Sequence, residues 1–134
     1  MFSKQLFTFS ILLVLVFSAQ RGQAQSIFDQ WAELKTFHGV MSETFHPSED
    51  GNLEPIKSRS GEMVQKASAL TSSAIPAAFN TPAILKAAKQ LKKGSKALDK
   101  MVKAKASDAQ ITQSLSALHD VFHEIVGLCS GEHH

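Results

Sequence analysis

Residues 107–129 read SDAQITQSLSALHDVFHEIVGLC, and this stretch decides the fold class. Ser107 with Gln110 three positions on is a capping box, which satisfies two orphan amides at a helix start. From there Ile111, Leu115, Leu118, Phe122, Ile125 and Cys129 recur at alternating steps of four and three. That rhythm is one apolar face of an amphipathic helix. Gly131 follows, where a helix would end.

Working back toward the N-terminus, the same rhythm returns three times. Thr81-Pro82 is an N-cap followed by proline in the first turn, and Ile84, Ala88, Leu91, Ser95, Leu98 and Val102 form the stripe behind it. Leu53, Ile56, Ser60, Met63, Ala67 and Leu70 mark a helix from about 53 to 72, with Gly61 as its weak point. Ile27, Trp31, Leu34, His38, Met41 and Phe45 mark another from Ser26 to about His46, which Pro47 ends. The turn-rich residues 48–52 follow, and the apolar connection 73–80 (Ile75, Pro76, Phe79) is expected to fold over one end of the core. No strand-like alternation of useful length occurs. The sequence predicts an all-α fold, an antiparallel up-down-up-down four-helix bundle with left-handed packing near roughly 20°.

Ahead of the bundle, Met1-Phe2-Ser3-Lys4 precedes an apolar run from Leu6 to Phe17, and Gly22-Gln23-Ala24 supplies small residues for a cut. A basic start, a short apolar core and small residues at the cut are the parts of a secretory signal. The run falls short of the ~20 apolar residues that a membrane-spanning helix needs. Residues 1–24 therefore read as a cleaved signal peptide, and residues 25–134 as one four-helix domain with a short tail, His133-His134. The protein is expected in the periplasm or secreted, with no transmembrane segment in its mature part.

Removing the signal changes the charge. It contains Lys4 and Arg21 but no acid, so the 14 basic side chains of the full chain fall to match its 12 acidic ones. The basic pI does not argue for nucleic-acid binding. All six His remain in the mature part, and Cys129 is the sole cysteine, so no disulfide can form within the chain. Without Cys-x-x-Cys-His there is no covalent c-type heme attachment.

A histidine at a core position needs a partner, because an unpaired buried polar group is destabilising. His38 falls mid-stripe between Leu34 and Met41, and His119 and His123, four apart, stack on one flank of the last helix. An antiparallel register puts His38, Met63, Ser95 and His119 in one layer, with His123 a turn away and Glu62 beside Met63. Imidazole, thioether and carboxylate groups at one level fit a transition-metal site: His38, His119, His123, Met63 and Glu62. Such a set suits zinc, copper, nickel or cobalt, and a Met ligand favours copper(I). His46, Glu49, Asp50 and Glu54 form a possible second site at the end of the first helix.

Lys86, Lys89, Lys93, Lys96, Lys100 and Lys103 run along the third helix opposite its apolar stripe. That face could meet a second copy of the chain, an acidic protein or an anionic membrane surface. Aromatics are absent from it, which counts against single-stranded nucleic acid.

With helices and histidines placed, the chain resembles bacterial periplasmic four-helix proteins that bind or sense metals, in His38, Met63 and His119-x-x-x-His123. It is more weakly similar to soluble b-type and c-prime-like four-helix cytochromes. The first resemblance implies metal storage, buffering or sensing. The second implies a noncovalent heme b held by His38, Met63 or His119. A third reading is a structural or interaction bundle that uses the lysine face. No Ser-His-Asp set, phosphate loop or pair of Glu-x-x-His motifs points to an enzyme.

Overall fold

In the computed structural model, which describes residues 26–131, the chain is helical throughout, with only short connections between helices. The expected signal peptide and the His133-His134 tail lie outside the described residues. The helices are α1 (Ser26–Gln30), α2 (Ala32–Glu49), α3 (Glu54–Ser72), α4 (Pro82–Lys103) and α5 (Asp108–Cys129), with a 3-10 turn at Ala77–Phe79. α2 packs on α3, α3 on α4 and α4 on α5, while α2 and α5 meet more lightly. No helix among the described residues is long and apolar enough to cross a membrane.

The stripes on α3, α4 and α5 are the core. Ile56, Met63, Ala67, Leu70, Leu91, Leu98, Leu115 and Ile125 are all fully buried. Thr81 caps α4 by accepting from the Ile84 amide, and Ser107 with Gln110 closes both halves of its box on α5. At Gly94 an added Cβ would lie 2.6 Å from Leu118 Cδ2, so the missing side chain lets α4 and α5 approach closely. Phe79, in the connection after α3, is buried and stacks on Trp31 at 6.1 Å.

The first helix departs from expectation in three ways. It breaks at Trp31, whose backbone is extended (φ −127, ψ 90), and so becomes α1 and α2. Pro47 does not end α2 but sits within its last turn, and the helix continues to Glu49. Proline lacks only an amide there, and the turn closes through Asp50 and Asn52 amides donating to the Pro47 carbonyl, with Gly51 at positive φ. Finally, the buried face of α2 is Leu34, Phe37, Val40, Met41, Thr44 and Ser48. His38 is exposed and Phe45 half-buried. Steps of three and four from Leu34 admit either Phe37 or His38 before Met41. Phe wins because it gains apolar burial where His would have to give up water.

Candidate metal centre

The displaced histidines meet at the seam between α2 and α5. A cleft of about 160 Å³ is lined by His38, Met41, Ser42, His46, His119, Phe122 and His123. The expectation of a buried polar layer is thus corrected to an imidazole cluster at the surface. Register explains part of it. Phe45 stacks on His119 and His38 on Phe122, about one turn from the alignment of His38 with His119 that the sequence suggested.

Aromatic rings position two of the imidazoles. His119 lies face to face with Phe45, centroids 3.7 Å apart and planes 9° from parallel. His38 lies nearly parallel to Phe28 at 4.7 Å and to Phe122 at 5.4 Å. A straight helix would set Cα atoms ten residues apart at about 15 Å. The Phe28–His38 stack therefore exists only because the chain turns back at Trp31.

His119 and His123 sit on successive turns of α5, and their Nε2 atoms stand 3.1 Å apart. One imidazole N–H can donate to the other's lone pair at that distance, or both lone pairs can face one ion. With metal–nitrogen bonds of ~2.05 Å, this separation gives a bite angle of about 100°. That lies between the square-planar and tetrahedral values. Burial, and then the charge on His123, hold the His119 imidazole below its ordinary value of 6.5, so it is neutral and able to bind metal near pH 7.

His46 belongs to this cleft and not to a separate site. Its Nδ1 lies 3.2 Å from Glu49 Oε2, so a donated Nδ1–H would leave Nε2 free as a ligand. The signal for this was in the sequence: His46 and Glu49 are three apart on one helix, but ending the helix at Pro47 hid it. Asp50 and Glu54 are exposed and do not line the cleft.

The other expected ligands are engaged elsewhere. Met63 is fully buried in the core and does not line the cleft, so it shares no cavity with His38 and His119. Glu62 forms a two-pronged pair with Arg59, at 2.8 and 3.0 Å, which holds its carboxyl below the ordinary range. Burial raises the Cys129 thiol to about 11, so it stays protonated. Among the described residues no three His, Cys, Asp or Glu side chains stand as a ready-made metal set. The arrangement is an i, i+4 imidazole pair with two further imidazoles on the same cleft. No known family, curated protein or solved structure matches this chain.

Proposed function

We propose that the α2–α5 cleft binds one divalent transition-metal ion (zinc, copper, nickel or cobalt) in an exported protein that stores, buffers or senses it without catalysis. The observation that carries this reading is the 3.1 Å Nε2–Nε2 separation of His119 and His123 within a cleft also lined by His38 and His46. His46, oriented by Glu49, is the third ligand, and His38 stands in reserve beside it. Both are exposed, and exposed side chains change rotamer within nanoseconds, so completing the set needs no movement of the backbone. An all-imidazole set favours borderline divalent ions; the Met63 thioether lies in the core, although Met41, itself almost fully buried, lines the cleft.

Cleft size also favours an ion. About 160 Å³ is below the roughly 300–1,000 Å³ of pockets that hold drug-sized ligands. Heme b is larger than most of those.

We read the scaffold as an antiparallel up-down-up-down bundle. Short connections support this, as do contacts that run in opposite order along α2 and α5: Phe45 with His119, then Phe37 with Phe122.

Elemental analysis of the full-length protein, with calorimetric titration of zinc, nickel, cobalt and copper(II), tests the reading. One ion per chain and a rise in melting temperature are expected, both lost in His119→Ala/His123→Ala. No bound metal and no stabilisation by any of the four ions would overturn it.

A further inference from the structure

Helix α4 carries Lys86, Lys89, Lys92, Lys93, Lys96, Lys100 and Lys103 against one acid, Asp99. Asp99 is turned away from the exposed face. It accepts from Ser60 Oγ at 2.8 Å and from Lys103 Nζ at 2.7 Å, and these bonds hold its carboxyl below the ordinary range. Elsewhere bases meet acids: Lys57 pairs with Asp108, and Arg59 with Glu43 and Glu62. Among the described residues no ion pair involves Lys86, Lys89, Lys92, Lys93, Lys96 or Lys100.

This face carries an electrostatic penalty. Lys89 and Lys93, Lys92 and Lys96, and Lys96 and Lys100 are like charges four apart, which repel and weaken the helix. Apart from Asp99, every acid among the described residues lies outside α4, Glu54 and Glu62 on the neighbouring α3 included. A face with uncompensated repulsion is stabilised by whatever anion approaches it.

The shape of the face narrows the choice of anion. Lys86 to Lys103 spans about 25 Å along one helix. A groove of about 490 Å³ lies among Lys89, Lys92, Lys96 and Lys100, with Ala97 and Thr71 in its lining. It is continued by a second groove that shares Lys89 and Lys93 and reaches Leu85 and Pro82. No Arg is present to fork onto a fixed phosphate, and no aromatic to stack on a base. Instead there are flexible point charges on apolar stems, with Leu85 and Ala97 between them. Long stems whose heads reach outward suit a fluid layer of phosphate headgroups, which demands no fixed geometry.

We propose that the α4 lysine face docks the protein peripherally on an anionic phospholipid surface. The proposal is independent of the metal reading. It needs only the face, and no helix enters the bilayer.

The full chain is tested by co-sedimentation at low salt with vesicles of phosphatidylcholine alone and of phosphatidylcholine with phosphatidylglycerol. Comparing the two separates charge-driven binding from any apolar insertion. Preferential binding to the anionic vesicles is expected, falling with added salt and weakened at least about tenfold in Lys89→Glu/Lys96→Glu. Lys35→Glu/Lys66→Glu makes the same change in net charge on α2 and α3 and should bind as the parent does. Lys89→Gln/Lys96→Gln, which removes charge without adding acid, should also lose binding, to a smaller extent, and unchanged binding there would overturn the proposal. Equal binding to both vesicle types, or equal loss in the α2–α3 variant, would overturn the proposal. Tighter binding to duplex DNA than to anionic vesicles would overturn it in favour of a nucleic acid.

Discussion

Phe45 covers one face of His119, its ring centroid 3.7 Å from the imidazole and nearly parallel to it. The stack shields the imidazole from water and fixes the ring plane, so that Nε2 points at its neighbour on His123. Phe45→Ala should undo both effects. The His119 titration, followed by NMR, should move up toward 6.5 as burial is relieved. Metal affinity by calorimetry should fall about tenfold, the lower range for losing a group that orients a ligand.

Folding stability should respond to the same imidazole. Because the folded state holds His119 below 6.5, the unfolded chain takes up its proton more readily. Stability from this group is therefore full above 6.5 and is lost as pH falls from there through the lower value of the folded state. Melting temperatures measured below pH 6.5 should drop, and His119→Gln should make that slope shallower. Bound metal would steepen it, since protons compete for the same nitrogens.

The two residues that competed for the core of α2 can be told apart by truncation. Phe37 is fully buried, and Phe37→Ala should cost about 3–5 kcal/mol in urea denaturation. His38 is exposed, and His38→Ala should lie within about 0.5 kcal/mol of the parent. A large loss at His38 would restore the phase in which it is a core residue.

Ser95 faces the core with a hydroxyl that has no hydrogen-bond partner and is 1% exposed. Alanine keeps its Cβ, fits the same space and is the better helix former. Ser95→Ala should raise stability by about 1 kcal/mol in the same denaturation assay. Ser60, buried across from it, donates to Asp99, and its removal should have the opposite sign.

The contrast between α2 and the other helices shows what a single sequence can tell. On α3, α4 and α5 one phase is the most apolar and it is the one that packs, with Val64, Leu85, Val121 and Val126 only half-buried beside it. On α2 two phases compete, Phe37 with Thr44 and His38 with Phe45. Local pattern could not decide between them, because the choice depends on what α3 and α5 press against that helix. The closeness of His119 and His123 was legible because i and i+4 on a helix are neighbours wherever the helix goes. His46 was not, because its placement hangs on whether Pro47 stops the helix. Met63 and Glu62 were misplaced by treating a shared level along the bundle as a shared side of it.

The break at Trp31 bears on where the fold opens first. α1 is five residues long, far below the roughly 12–15 that sustain a helix alone. It carries Phe28, whose ring lies against His38 and Phe122. Lifting that single turn would free one ring face of His38 while α2 to α5 keep their packing, so the opening draws on local rather than global stability. Amides of residues 27–30 should therefore exchange with deuterium well before those of α3. The break thus separates a turn held by one aromatic stack from helices held by a shared core.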